Sequence, residues 1–321
     1  MNNKRATPIL LSDKDSVSRF IDDNFDAILF DCDGVLYRGP HLIPNASGAI
    51  RSLLAKGKKV FFVTNNAGNS RSQLRDKLAE ILEVSQITDE HIISSSYSCA
   101  KYVEREIFFN EKKFPVTKER SQITIFAVGA QGLFEELEKF GFNVLGCREQ
   151  RYGTNREELA SYDFDQYCSV DAVVCGLDTD FNYRKLCIAT GILQQNSNAL
   201  FIATNEDAFD LVAYGRKLPG NGSIVKAIET SSQRKAINVG KPSAVLANLI
   251  SEEYSLDPLK TLMVGDRLDT DVAFAKFGGM CSALVMTGVT TVEKLIEVDY
   301  KQEASKEPMP HIIFPHAGLM G

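Results

Sequence analysis

The chain lacks any apolar run long enough to cross a bilayer, and residues 1–5 lack the apolar stretch of a secretory signal. It has no basic stripe, and its formal net charge of -6 argues against general nucleic-acid binding. Residues 318–321 do not form a peroxisomal address. These absences predict a cytoplasmic protein whose partner is a small molecule rather than a membrane or a nucleic acid.

Cysteine and histidine are sparse, with seven and four residues respectively. The cysteines are odd in number and lack metal-ligand spacing, so they fit reduced thiols better than a disulfide framework. Cys32 lies between two acids that raise the pKa of a thiol, and no histidine lies near it in sequence, which argues against a thiolate nucleophile. We expect Cys32 to be a small buried residue, although its oxidation would disturb the neighbouring acids.

The 321 residues are 44% hydrophobic and 24% charged, which is enough for two domains with buried cores. Apolar, strand-like runs alternate with helical patterns along the chain, and no internal repeat or low-complexity segment interrupts them. This alternation predicts an α/β fold built from parallel βαβ units rather than hairpins.

One apolar run, residues 27–30, ends in two carboxylates, in the string Asp31-Cys32-Asp33-Gly34. A run of this length fits a buried strand, and an open parallel sheet binds ligands at the carboxyl ends of its strands. Like charges this close are costly unless a cation lies between them, so the pair predicts a Mg²⁺ site for a phosphate ester. A strand followed by an ordinary Asx turn is the alternative interpretation.

Two further segments place polar groups after apolar runs. The string Thr64-Asn65-Asn66 follows residues 60–63 and offers neutral donors to a phosphoryl oxygen. Lys241 follows residues 236–239 and offers a compact positive charge just before a helix start. Each segment alone also fits a helix cap or a solvated surface charge.

A second acid cluster, Gly265-Asp266-Arg267-Leu268-Asp269-Thr270-Asp271, follows the apolar run 261–264. Alone it also fits helix capping. The four segments in this order indicate a catalytic site far more specifically than any one of them does alone.

A helix is predicted over residues 72–84, where Leu74, Leu78 and Leu82 recur at helical spacing. Its start near Ser70 and Arg71 is expected to face the phosphate, because a helix N-terminus favours anions.

Together the four segments resemble the four motifs of the haloacid dehalogenase-like phosphatases, over nearly the whole chain. They are most similar to the 4-nitrophenylphosphatase group, which includes phosphoglycolate phosphatase and pyridoxal phosphatase. The resemblance implies a doubly wound, Rossmann-like core of parallel strands with an inserted α/β cap of the C2 type. The chain departs from the group at residues 66–70, where a Ser-rich and basic stretch is usual, and this departure would weaken anion binding.

The resemblance assigns the chemistry to three acids. Asp31 would attack phosphorus and become an aspartyl phosphate. Asp33 would protonate the leaving oxygen and then activate water. Asp266 would complete a Mg²⁺ site with one oxygen of Asp31 and the main-chain carbonyl of Asp33.

Five other residues would support these acids. Thr64, Asn65 and Asn66 would hold phosphoryl oxygens. Lys241 would balance the charge of Asp31 and the phosphate. Asp271 would orient either Lys241 or a metal-bound water.

The stretch between the second and third motifs is far longer than a loop and must contain its own domain. We place this cap at residues 104–235, which leaves residues 1–103 and 236–321 for the core. Strands are predicted in the cap at 123–128, 172–175 and 200–203, with helices over 132–140 and 182–193. In the core they are predicted at 283–286 and near 311–314. The resemblance implies that the cap chooses the leaving group and mediates a homodimer.

The sequence says less about which substrate the protein selects. Asp207 and Phe209 lie in a cap segment that resembles a substrate loop of the phosphoglycolate and nitrophenyl phosphatases. A carboxylated substrate requires a cation, and Phe209 stands where a basic residue is expected, so Arg216 is the nearest replacement. The same residues also fit a turn that ends a strand.

We therefore predict a Mg²⁺-dependent phosphatase of small phosphorylated metabolites, with 2-phosphoglycolate as the first candidate and 4-nitrophenyl phosphate as an artificial substrate. A pyridoxal phosphatase or a phosphoprotein phosphatase is the alternative within catalysis. A binding or scaffold protein without turnover is the alternative of another class.

Overall fold

The fold is seen in a computed structural model that describes residues 7–109, 118–146, 156–212, 216–301 and 307–321. Residues 1–5 and one of the seven cysteines, Cys147, lie outside the described residues. The strands are β1 Ile9–Leu10, β2 Ala27–Phe30, β3 Tyr37–Arg38, β4 His41–Leu42, β5 Lys59–Thr64, β6 Ile92–Ser94, β7 Thr124–Val128, β8 Asn143–Leu145, β9 Ala172–Cys175, β10 Leu200–Ala203, β11 Phe209–Val212, β12 Arg216–Pro219, β13 Ile237–Asn238, β14 Thr261–Gly265, β15 Cys281–Val285 and β16 Ile312–Phe314.

The α-helices are α1 Lys14–Asn24, α2 Ala46–Ala55, α3 Arg71–Leu82, α4 Ser95–Phe108, α5 Gln131–Lys139, α6 Arg156–Ala160, α7 Tyr183–Gln195, α8 Asn221–Ser232, α9 Ala244–Glu253, α10 Ala273–Phe277 and α11 Val292–Lys301. Among the described residues, no helix has both the length and the apolar character that crossing a bilayer requires.

Two compact units divide the chain. The first takes in Met1–Thr64, Ser72–Ile93 and Lys241–Gly321, and the second takes in Asn65–Arg71 and Ser94–Gly240. The second unit thus holds both the long stretch between the second and third motifs and a short piece directly after Thr64.

The first unit is built on a sheet in the order β1-β16-β15-β14-β2-β5-β6. From β1 to β5 the neighbouring strands pair in parallel. In β2, Ile28 and Phe30 join one apolar cluster while Ala27 and Leu29 join another, so both faces of the strand are buried. A parallel sheet covered on both faces is the doubly wound arrangement predicted from the sequence, and the α/β fold class is confirmed.

The second unit has a parallel sheet in the order β13-β10-β9-β7-β8. Strands β9 and β10 have the predicted bounds, and their residues are buried. Strand β13, which ends just before Gly240 and Lys241, pairs with β10 in this sheet. The apolar run before the third motif therefore belongs to the second sheet.

Two short antiparallel ribbons depart from the prediction of parallel units without hairpins. Strands β3 and β4 pair in one ribbon, where Gly39 takes a φ of 57° that suits glycine. Strands β11 and β12 pair in the other. The prediction is wrong at these ribbons, because each run is too short to show a strand period in sequence.

Candidate active site

The polar segments of the first unit lie at one edge of its sheet because three neighbouring strands end there. Asp31 follows β2, Asp266 follows β14 on one side, and Thr64 ends β5 on the other. The chain runs outward from β2 through β5 to β6 and later from β14 through β15 to β16. The β2/β14 boundary is thus the switch point at which parallel sheets bind ligands. The amide of Asp31 donates to the carbonyl of Val264 at 2.9 Å, which holds the two strand ends together.

Three carboxylates converge at this switch point. Oxygen atoms of Asp31, Asp266 and Asp271 all lie within 4.8 Å of one another. Asp266 and Asp271 are each only 2% exposed, whereas the Asp31 side chain is 15% exposed. Asp31 is therefore the carboxylate of the cluster that a ligand reaches most readily.

Lys241 neutralises part of this charge. Its buried Nζ atom donates to Oδ1 of Asp31 at 2.6 Å and to Oδ1 of Asp271 at 2.7 Å. Burial alone would lower the pKa of Lys241, but the carboxylates of Asp271 and Asp31 raise it above its ordinary value. The ammonium group stays charged, and it connects the third motif directly to the first and the fourth.

Asp271 also shapes the loop that carries Asp266. Its Oδ2 atom accepts from the amides of Asp266 and Arg267, both at 3.2 Å. A Cβ atom at Gly265 would overlap the Asp271 side chain, so this close approach needs glycine. Asp271 therefore contacts both Lys241 and the Asp266 loop; that it orients Lys241 stays a prediction.

Asp266 is enclosed by loops from both ends of the first unit. Its Oδ2 atom accepts from the amide of Val289 at 2.6 Å. Gly34 has a φ of +81°, and a Cβ atom there would lie 2.7 Å from the same oxygen. A Cβ atom at Gly288 would lie closer still to that oxygen. Sequence analysis missed Gly288 and Val289, because only their position in space connects them with the acids.

The charges of this cluster fit a cation. Three buried or half-buried carboxylates cluster beside the ammonium group of Lys241. Burial, followed by the charges of Asp271 and Asp31, raises the pKa of Asp266 well above its ordinary value. Burial and the charge of Asp31 also raise the pKa of Asp271, against the lowering effect of Lys241. Such a site favours a proton or a hard cation, and carboxylate oxygens are the ligands that Mg²⁺ prefers.

Asp33 lies in a tight turn between β2 and β3. It forms an isolated bridge with Tyr37, and the amide of Gly34 donates to the carbonyl of Tyr37 at 2.7 Å. Asp33 is exposed by surface area, yet the protein around its carboxyl group still raises its pKa, against the lowering effect of Lys77 and Arg38. Cys32, as predicted, is buried, and burial raises the pKa of its thiol.

Asn65 and Asn66 belong to the second unit. Nδ2 of Asn65 donates to Oδ2 of Asp207 at 2.9 Å, and Nδ2 of Asn205 donates to the carbonyl of Asn65 at 2.9 Å. Oδ1 of Asn66 accepts from the amide of Gly68 at 2.9 Å. The structure thus brings Asn65 and Asp207 together, two residues that the sequence analysis had assigned to phosphate and substrate separately.

A lysine, Lys217, lies beside Phe209. Its Nζ atom lies 4.3 Å from the centroid of the Phe209 ring, across the ribbon formed by β11 and β12. Phe209 is in register with Pro219, so Lys217 shares its face, whereas Arg216 is in register with Val212. The structure therefore places Lys217 on the face of the ribbon that carries Phe209, whereas the sequence analysis, which did not recognise the ribbon, named Arg216.

The start of α3 already holds an anion from the protein. Oε1 of Glu136 accepts from the amide of Arg71 at 2.7 Å, and Glu136 is buried. A carboxylate at a helix N-terminus is stabilised by the unpaired amides there. The predicted phosphate at this position would compete with Glu136, which sequence analysis could not have placed 65 residues away in the chain.

Comparison with known proteins agrees with this arrangement. A family profile described as haloacid dehalogenase-like hydrolase matches residues 28–143, and one described as HAD-hydrolase-like matches residues 238–309. Phosphoglycolate phosphatase 2 of Arabidopsis thaliana is 38% identical over 92% of this chain and 93% of its own length. Glycerol-3-phosphate phosphatase of Gallus gallus is 34% identical over 85% of this chain and 83% of its own length.

A solved structure has the same architecture. The p-nitrophenyl phosphatase from Archaeoglobus fulgidus superposes with a TM-score of 0.73 and 26% identity, over 92% of this chain and 98% of that protein. The two family profiles together span all four motifs. The chain belongs to the haloacid dehalogenase-like hydrolases and is a phosphatase of that family.

Proposed function

We propose that this protein hydrolyses small phosphomonoesters with Mg²⁺ through an aspartyl-phosphate intermediate. The observation that carries the proposal is the meeting of Asp31, Asp266 and Lys241 at the switch point of the first sheet. This arrangement combines an accessible carboxylate with a buried positive charge, which phosphoryl transfer requires.

In the first step, a carboxylate oxygen of Asp31 forms a bond to phosphorus while the bond to the ester oxygen breaks. Asp31 is suited to this role because it is the most exposed of the three clustered acids and because Lys241 holds it in place. The departing oxygen takes the proton of Asp33, whose raised pKa favours the protonated form.

In the second step, Asp33 accepts a proton from water, and the water oxygen bonds to phosphorus. The bond between phosphorus and Asp31 breaks, which releases inorganic phosphate and restores the carboxylate. Thr64, at the end of β5, would hold a phosphoryl oxygen during both steps. Asn65 and Asn66 would help only where their present hydrogen bonds give way.

The residues that would hold Mg²⁺ are Asp31 and Asp266 through their carboxylates and Asp33 through its main-chain carbonyl. When bound, the ion supplies positive charge to the phosphoryl oxygens and relieves the repulsion between the acids. Asp271 supports the site indirectly, because its oxygens accept hydrogen bonds from Lys241 and from the amides of the Asp266 loop.

The test measures phosphate release by the purified full chain from 4-nitrophenyl phosphate and 2-phosphoglycolate. We expect activity with Mg²⁺, its loss with a chelator, and background rates for Asp31→Asn. Asp269→Asn is the matched control, because Asp269 lies in the same loop but pairs with Arg267 at the surface. Full activity of Asp31→Asn would overturn the covalent scheme, and zero release by the folded wild type across a broad panel would favour a non-catalytic scaffold.

For the substrate we propose 2-phosphoglycolate, supported by the 38% identity to a phosphoglycolate phosphatase and by a lysine beside Phe209 that suits a carboxylate. Glycerol 3-phosphate is the second candidate, since a relative at 34% identity is named for it. Comparing kcat/KM across these two and pyridoxal phosphate ranks the candidates. A higher value for pyridoxal phosphate would overturn the ranking.

We also propose that the second unit is the cap that selects the leaving group, that the protein is a homodimer through it, and that it acts in the cytoplasm. The six described cysteines are free thiols, in keeping with a reducing compartment. Light scattering on the full chain tests the dimer, and a monomer at micromolar concentration would contradict it.

A further inference from the structure

Lys77 makes an unusual contact for a lysine on an outer helix. It lies on α3, and its Nζ atom donates to the hydroxyl group of Tyr37 at 3.3 Å. The same atom lies 4.4 Å from the centroid of the Tyr37 ring. A cation over an aromatic face is attracted by the ring, so two interactions hold Lys77 against one side chain.

Tyr37 in turn is joined to the turn that carries Asp33. It is buried in the first apolar cluster, and its carbonyl accepts from the amide of Gly34. Its backbone also forms the bridge with Asp33. A shift of Tyr37 would therefore move the residue that we assign as general acid and base.

The charge of Lys77 has no acidic partner within the described ranges, where none of the ion pairs includes it. Its neighbour on the helix, Arg75, pairs instead with Asp76 and Asp89. The charge of Lys77 also lowers the pKa of the Asp33 carboxyl group, so any gain for the acid must come from the position of the turn. Lys77 therefore packs against Tyr37 and lies near the Asp33 turn.

We propose that Lys77 is a positioning residue that acts through Tyr37 to hold the Asp33 turn where it can protonate the leaving group. The proposal rests on the function proposed above, because it requires Asp33 to be the acid. Lys77 contacts both the ring and the hydroxyl group of Tyr37. Tyr37 in turn is bonded to the turn that carries Asp33.

The nature of the leaving group separates this role from a general structural one. 4-Nitrophenolate is a stable anion and departs with little help from an acid, whereas the alkoxide of an alkyl phosphate must be protonated as it leaves. A displaced Asp33 therefore slows alkyl substrates far more than 4-nitrophenyl phosphate. The constant to compare is kcat/KM, which reports the first half-reaction for both substrate types.

The experiment measures kcat/KM of Lys77→Met and Lys77→Arg in the full chain for three substrates: 4-nitrophenyl phosphate, 2-phosphoglycolate and glycerol 3-phosphate. We expect Lys77→Met to lose roughly 10- to 100-fold on both alkyl phosphates and less than about threefold on 4-nitrophenyl phosphate. Lys77→Arg should recover most of the loss, since it keeps the cation over the ring. In the double variant, Tyr37→Phe should remove only the part of the Lys77→Met effect that passes through the hydroxyl group, because phenylalanine keeps the ring.

Arg75→Met is the matched control, because it removes a cation from the same helix without touching Tyr37. Equal losses on all three substrates in Lys77→Met would overturn the proposal in favour of a merely structural role. A loss confined to 2-phosphoglycolate and expressed in KM would overturn it in favour of direct recognition of a carboxylate. Either outcome leaves the proposed function intact, whereas full activity of Asp31→Asn would contradict that function without reference to Lys77.

Discussion

Removing the charge of Asp266 should stabilise the metal-free protein while abolishing its response to Mg²⁺. Asp266 is buried beside Asp31 and Asp271, with oxygen atoms within 4.8 Å of each. Asp266→Asn keeps the shape of the side chain and an oxygen for the amide of Val289. The substitution therefore tests electrostatic repulsion with little change in packing.

The magnitude follows from the distances. Two unit charges 4.8 Å apart repel by about 3 kcal/mol at an effective dielectric constant near 20, and Asp266 has two such neighbours. Attraction to Lys241 offsets part of this repulsion, and the hydrogen bond from Val289 loses its charged acceptor. We expect a net gain of about 1–3 kcal/mol in the free energy of unfolding of metal-free Asp266→Asn at pH 8.

The pH dependence has a definite sign. Because the pKa of Asp266 is raised in the folded protein, the native state binds more protons than the unfolded state above about pH 4. The stability of the metal-free wild type should fall as the pH rises toward the folded pKa of Asp266 and then level off. Asp266→Asn should flatten that fall, so the gap between the two proteins widens with pH.

Urea unfolding in a chelator and in Mg²⁺, at several pH values, measures all of these quantities. Saturating the wild type to about 100 times Kd should add about 2.7 kcal/mol, and Asp266→Asn should gain almost nothing. Asp269→Asn again serves as the control. The reasoning would be refuted if Asp266→Asn were less stable than the wild type in chelator and still gained stability from Mg²⁺.

Two predictions concern the second unit. Gly240→Ala should cost about 1–3 kcal/mol in urea unfolding, because a Cβ atom there would overlap the carbonyl of Thr204. It should also slow phosphate release, because Gly240 directly precedes Lys241 in the chain. Gly68→Ala, whose Cβ atom would make only an ordinary contact with Oδ1 of Asn66 at 3.4 Å, should behave like the wild type, and equal behaviour of the two variants would contradict this account. Glu229 accepts from Lys226, Lys235 and the amide of Ala236. Burial raises the pKa of Glu229, but these bonds outweigh burial and lower the pKa to about 2. Glu229 should therefore add about 1–3 kcal/mol of stability at neutral pH that is lost as the pH falls from about 4.5 toward 2. Glu229→Gln should remove that acid-sensitive part of the stability, and unchanged acid unfolding would argue against it.

Local sequence patterns were sufficient to predict strands, helices and motifs wherever the signal lies within a few residues. The buried strands of the first unit are continuous apolar runs, since helices cover both faces of the sheet, and Leu74, Leu78 and Leu82 of α3 recur at helical spacing. The first and fourth motifs could be placed together because parallel strands bring their carboxyl ends to one edge. The bounds of β9 and β10 were also predictable, because each strand is a continuous apolar run.

Contacts between distant segments were beyond such reasoning. Glu136 at the start of α3, Lys217 over Phe209 and Lys77 on Tyr37 each join residues whose spacing follows no local period. The membership of β13 in the second sheet depends on which strand it pairs with, and short apolar runs carry no information about their partner.

By itself, the sequence determined the α/β class, the order of the four motifs and the family, because strand burial and motif spacing are local properties of the chain. Only the tertiary structure decided that Lys241 lies between Asp31 and Asp271, that Asp271 also binds the Asp266 loop, and that Asn65 is bonded to Asp207. Each of these contacts joins groups whose distance is set by strand register and loop packing, which the linear spacing of residues does not encode.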